Sequence, residues 1–128
     1  MPDMPWSGHA EMESGVEYLV MASYLPLKRL ASTPRLFRGV SAIRRQLASA
    51  EGLVGYTLRA KPLAGNYWTL SVWKDQAALQ RFVSAPPHAE IMSSLRPIMG
   101  ATKFVTWMTT GAEGRPEWPA AIERLAST

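Results

Sequence analysis

The sequence contains no cysteine. This rules out disulfides, a thiol nucleophile and any thiolate metal site. Histidine is nearly as scarce. His9 and His88 are far apart and have no companions at metal-ligand spacing, so no zinc site is expected. No apolar run approaches the roughly 20 residues needed to cross a bilayer, so no membrane partner is expected. The opening text, MPDMPWSGHAEMESG, lacks the basic region and apolar block of a secretory signal. No glycine-rich loop follows a strand, and no GxSxG elbow is present. No element carries a pair of acids suited to glycoside cleavage. These absences point to a cytoplasmic protein with little catalytic vocabulary.

Acidic residues are outnumbered, which leaves a net charge of +4. Arg35, Arg38, Arg44 and Arg45 fall on one predicted helix, mostly away from its apolar stripe. A solvated helix face accounts for them, and no nucleic-acid motif accompanies them. At most they attract an acidic partner or a small anion. The chain has 128 residues and is 47% apolar, which suits one domain with its own core. Residues 1–14 read as a flexible leader, 15–110 as the folded domain, and 111–128 as a loop with a short helix.

The order of elements follows from periodicity. Residues 17–25, EYLVMASYL, form an apolar run suited to a covered strand. Thr33-Pro34 marks a helix start, and Leu36, Phe37, Val40, Ile43 and Leu47 give it one apolar face through residue 50. Residues 53–61 and 67–73 are strands joined by the turn-rich KPLAGN, hence a hairpin. Asp75 caps a helix that bears Ala78, Leu79, Phe82 and Val83. Pro86-Pro87 interrupts it, and a second helical piece begins at His88 with Ile91, Met92 and Leu95 on one face. Residues 103–110, KFVTWMTT, are the fourth strand. The order β-α-β-β-α-β is the α+β, ferredoxin-like sandwich, a four-stranded sheet with its helices on one face.

Apolar residues occupy both parities of these strands, for example Tyr18 and Val20 beside Leu19, or Leu70 and Val72 beside Trp73. A sheet apolar on both sides needs a second cover. A second copy of the chain is the simplest one, so a homodimer is expected, with two sheets facing each other as a dimeric α+β barrel. Trp118 reads as the anchor of the terminal helix, on this chain or its partner.

The text NYWTLSVWKDQAALQRFV, followed by PPHAEIMSSLRP, resembles the antibiotic biosynthesis monooxygenase group of the dimeric α+β barrel superfamily. Its elements are Trp73 ending a strand, Asp75 after it, Ala77-Ala78 in a helix, and His88 downstream. GLVGYTLR, at 52–59, resembles the entry to the family's second strand. The resemblance spans about 17–110. It implies a cofactor-independent oxygenase acting on a small phenol- or quinol-type aromatic with molecular oxygen. It offers two alternatives: a haem-binding or haem-degrading protein, and a non-catalytic dimeric ligand-binding module. In the family's oxygenases a polar residue, often Asn, lies four positions before the strand-terminal Trp; here it is Thr69. In the haem-degrading branch His88 matches the later-helix histidine, and Phe82 stands nearest the preceding tryptophan.

His88 reads as general base, hydrogen-bond donor or axial haem ligand, or as a structural histidine near a helix start. Trp73 shares parity with Tyr67, Thr69 and Ser71. This row either lines a pocket with hydroxyls and an indole N–H or contributes simple core. The expected catalytic group is His88, Trp73 and Thr69. Tyr67, Ser71, Arg59, Tyr24, Phe82 and Met92 are the expected substrate contacts.

Overall fold

The computed structural model describes residues 4–127. Its elements in chain order are β1 (Ser7–Gly8), β2 (Glu17–Pro26), α1 (Thr33–Leu47), β3 (Leu53–Lys61) and β4 (Asn66–Trp73). They are followed by α2 (Gln76–Ser84), α3 (His88–Leu95), β5 (Lys103–Thr110) and α4 (Trp118–Ala126). The fold is α+β and ferredoxin-like. Its five-stranded antiparallel sheet has the order β1-β3-β4-β2-β5.

Local chemistry sets the element ends. The Asp75 carboxylate accepts the Ala78 backbone N–H at 2.8 Å, which satisfies one orphan donor of α2. Gly65 closes the β3–β4 hairpin at φ 69°, a left-handed conformation that costs glycine little. Gly52, at φ 82°, turns the chain from α1 into β3 where a side chain would run into Ala78. α1 stops at Leu47, three residues short of the expected end.

The cross-strand register places Leu19, Met21, Ser23 and Leu25 of β2 opposite Trp73, Ser71, Thr69 and Tyr67 of β4. On the other side of β4, Tyr56, Leu58 and Ala60 of β3 stand opposite Ser71, Thr69 and Tyr67. This face lies beneath α1, α2 and α3. Its buried residues form two clusters. One joins Leu47, Tyr56, Trp73, Leu79 and Phe82; the other joins Leu36, Tyr67, Leu95 and Met99.

The opposite face corrects two expectations. Tyr18, Val20, Ala22, Val54, Leu70 and Val72 pack against Trp118, Ala121 and Leu125 of α4, with Trp6 and Met12 alongside. The chain therefore supplies this cover itself, and Trp118 is anchored on its own sheet. Residues 4–14, expected to be a loose leader, are tied to β3. Met4 N–H donates to Leu58 O, His9 N–H donates to Val54 O, and β1 pairs with Tyr56 and Gly55. Residues 1–3 of that expected leader lie outside the described residues. On β5, Phe104 and Met108 stay about half exposed, at 53% and 54%, because the helices roof only β2, β3 and β4.

Candidate active site

Between the two helix-side clusters lies a cavity of about 310 Å³. That is at the lower end of the range of roughly 300–1,000 Å³ for small-molecule sites. Its floor is the inner row of β2, β3 and β4, and its roof is α1 and α3. The lining is mainly apolar: Met21, Leu25, Leu36, Val40, Ile43, Leu58, Met92 and Leu95 among others. The strand alternation that splits the two cores also places Tyr67, Thr69, Ser71 and Trp73 together on this floor.

Each polar group on the floor has a defined environment. The Thr69 hydroxyl is hydrogen-bonded to that of Ser23, directly across the β2–β4 ladder. Trp73 is 1% exposed, and its Nε1 donates to Ser71 Oγ at 2.9 Å. Its ring packs on Phe82 with centroids 5.2 Å apart, and Phe82 packs on the His88 ring at 5.0 Å. The Tyr67 hydroxyl is buried and has no hydrogen-bond partner among the described residues. An unsatisfied buried hydroxyl is costly, so this atom is poised for a partner.

His88 lines the cavity from the first turn of α3. Its Nδ1 lies 3.2 Å from the Val83 carbonyl. A carbonyl accepts, so the neutral ring carries its proton on Nδ1 and Nε2 keeps its lone pair. Burial pushes the imidazole below its ordinary value of 6.5, opposed in part by the hydrogen bond to Val83. The neutral, proton-accepting form is therefore favoured near neutrality.

Seven of the nine expected site residues meet around this cavity: His88, Trp73, Thr69, Tyr67, Ser71, Phe82 and Met92. Tyr24 and Arg59 do not join them with their side chains. Tyr24 Oη donates to Asn66 Oδ1 at 2.8 Å, and its ring packs against Trp68 on the α4 side of the sheet. The Arg59 guanidinium lies over the Trp118 ring, 4.9 Å from its centroid. Both have the parity of the outer face, so their separation from the Tyr67–Trp73 row follows from the pleat.

Three contributors were missed from the sequence. Ser23 is the lone hydroxyl on the inner parity of β2, and its register opposite Thr69 is the signal. Gln46 Nε2 donates to Phe82 O at 3.1 Å, while Gln46 Oε1 accepts the His88 backbone N–H at 2.9 Å. One α1 side chain thus ties the end of α2 to the start of α3. Arg44, read as part of a solvated face, sits one turn after Val40 on the flank of the apolar stripe. Its Nε donates to Tyr56 Oη at 3.4 Å beside the cavity.

Comparison with known proteins agrees with this architecture. Residues 37–94, from within α1 to the end of α3, match the antibiotic biosynthesis monooxygenase family. No curated protein matches the sequence. Among solved structures, a Caulobacter crescentus protein assigned to the antibiotic biosynthesis monooxygenases aligns with TM-score 0.63 at 18% identity, over 72% of this chain and 89% of its own. A dimeric ferredoxin-like protein of unknown function from Thermobifida fusca aligns with TM-score 0.64 at 11% identity, over 79% of this chain and 99% of its own. A Lactobacillus acidophilus protein assigned as a monooxygenase aligns with TM-score 0.65 at 12% identity, over 83% of this chain. The chain spans about half of that protein, 51% of its length. At such identities the solved structures establish the fold, and the family match covers most of the cavity lining, though not its β2 row of Met21, Ser23 and Leu25. The resemblance read from the sequence is thereby borne out over residues 37–94, which match the antibiotic biosynthesis monooxygenase family, and the fold is ferredoxin-like.

Proposed function

We propose that this protein is a cofactor-independent monooxygenase for a small phenol- or quinol-type aromatic. The observation that carries this reading is the pairing of a mainly apolar cavity with a neutral, tautomer-fixed His88 on its wall. In such a reaction His88 takes the proton of an acidic ring position or hydroxyl. The resulting electron-rich anion passes one electron to molecular oxygen. The substrate radical and superoxide combine at carbon, and loss of water from the hydroperoxide leaves a carbonyl. One oxygen atom ends in the product and one in water, and the substrate supplies both electrons and both protons. The protein contributes orientation, a dry site and a proton acceptor. The Thr69–Ser23 hydroxyl pair and Trp73 orient the ring on the floor.

For haem the donor set is thin: one imidazole, packed on Phe82, in a cavity at the small end of ligand sites. The reading also includes a homodimer, supported by the fold shared with the dimeric Thermobifida fusca protein. Because α4 and residues 4–14 already occupy much of the outer sheet face, the partner must accommodate them or meet the half-exposed side chains of β5.

Oxygen uptake with a panel of anthrones and hydroquinones tests the activity. Turnover that falls by about 10²-fold in His88→Ala supports the base role. Uptake indifferent to that change removes His88 from the mechanism. No uptake with any member, together with ligand binding, leaves a binding module. A haemin-dependent Soret shift abolished by His88→Ala would replace the cofactor-free reading with haem binding.

A further inference from the structure

The proposed activity leaves two features of the cavity unexplained: its one-sided charge and its unpaired phenol. No aspartate or glutamate lines the cavity among the described residues. Of the two arginines that contribute to the lining, Arg59 directs its guanidinium to Trp118 on the outer face. Arg44 directs its own to the phenol of Tyr56, which is 7% exposed. That single 3.4 Å bond to a neutral hydroxyl uses one of five guanidinium donors. The remaining donors form a planar fork that suits a carboxylate in two-point contact.

The second feature lies at the far end of the floor. Tyr56 stands opposite Ser71 in the ladder, and Tyr67 precedes Ser71 by four residues on β4. Four residues of strand span about 13 Å. The unpartnered Tyr67 hydroxyl therefore marks one end of the cavity and the Arg44–Tyr56 pair the other, with Thr69 and Leu58 opposite each other between them. This is an extended slot with a cation at one end, a free hydroxyl at the other and a mainly apolar middle in which the Thr69 and Ser23 hydroxyls pair with each other.

We propose that the cavity selects a planar aromatic acid. Its carboxylate pairs with Arg44 and accepts from Tyr56 Oη, its fused rings lie over Thr69 and Leu58, and an oxygen at the opposite end meets Tyr67 Oη. This assignment rests on the cavity being the substrate site, as proposed above, and narrows the aromatic substrate to one bearing a carboxylate remote from the reacting ring.

Calorimetric titration with two probes tests it: hydroxynaphthoate, and the neutral hydroxymethylnaphthol of nearly the same shape. The intact protein should bind the acid about tenfold more tightly than the alcohol at low salt. Arg44→Gln should erase that preference and leave the alcohol's affinity unchanged. Arg45→Gln, on the same helix, should keep the preference. Tyr67→Phe should weaken both probes several-fold with the preference intact. Arg44 is exposed on α1, so its replacement should leave the circular dichroism spectrum unchanged. Equal affinity for the two probes in the intact protein, or a preference that survives Arg44→Gln, overturns this inference and leaves the cavity reading standing. Failure of the intact protein to bind either probe overturns both.

Discussion

The Trp73 indole N–H donates to the Ser71 hydroxyl, two residues back on the same face of β4, at 2.9 Å. The Ser71 hydroxyl in turn faces the Met21 carbonyl at 3.5 Å. Ser71 therefore holds the tryptophan in place on the cavity floor. Ser71→Ala should leave a fully buried indole N–H unpaired, at a cost of about 1–3 kcal/mol. Urea unfolding should show a lower midpoint with an unchanged slope. In a Trp73→Phe background the same serine replacement should cost much less, and the double-mutant cycle measures the difference.

His88 couples pH to both stability and activity. Its folded value lies below the ordinary 6.5 because burial penalises the charged ring. The unfolded chain therefore binds the proton more readily than the folded one. The stability His88 contributes is fully present above pH 6.5 and is lost as pH falls below 6.5 toward the folded value. Melting temperatures of the native protein and of His88→Gln should run parallel above that point and converge or cross on the acid side. Turnover, if His88 is the base, should decline along an acid limb centred below 6.5 and lose that limb in the glutamine variant.

The site was readable to the extent that strand alternation determined it. Tyr67, Thr69, Ser71 and Trp73 share a parity, and any ladder must place them on one face. The same rule separates Arg59 and Tyr24 from that row, a consequence evident once the strand's facing is known. The bonds of Gln46 to Phe82 and His88 depend on how α1 lies across the α2–α3 corner, a tertiary relationship with no local sequence pattern. That α4 covers much of the outer sheet face was not legible for a similar reason. A short amphipathic segment beyond β5 advertises an apolar stripe but not the surface it will meet.

Gln46 offers a test of positioning separate from chemistry. Its amide makes two neutral hydrogen bonds, each of which contributes about 0.5–1.5 kcal/mol. Gln46→Leu keeps much of the side-chain volume and removes both. A loss of stability alone would follow from a purely structural role. If Gln46 holds His88 in its partly buried setting, the imidazole should also titrate closer to 6.5 in the variant. Proton-detected NMR titration of the ring reports this directly, and the acid limb of the activity profile should move with it.

Trp118 bears on the packing of the outer face. It is 7% exposed, stacks beneath Arg59 and packs with Ala121 and Leu125 over the apolar row of Tyr18, Val20, Leu70 and Val72. Trp118→Ala removes the largest side chain of that cover. Large-to-small aromatic replacements in cores cost about 3–5 kcal/mol, a large part of the stability of a domain this size. The sheet would then present a contiguous apolar patch, which favours association. Thermal melts should show a marked drop, and sedimentation at increasing concentration should show species beyond those of the native protein. The cavity lies on the other side of the sheet, so the variant, kept well below its melting point, should bind the naphthoate probe with native affinity. Loss of that binding in a still-folded variant would mean that the outer cover sets the register of β3 and β4, and with it the spacing between Tyr56 and Tyr67.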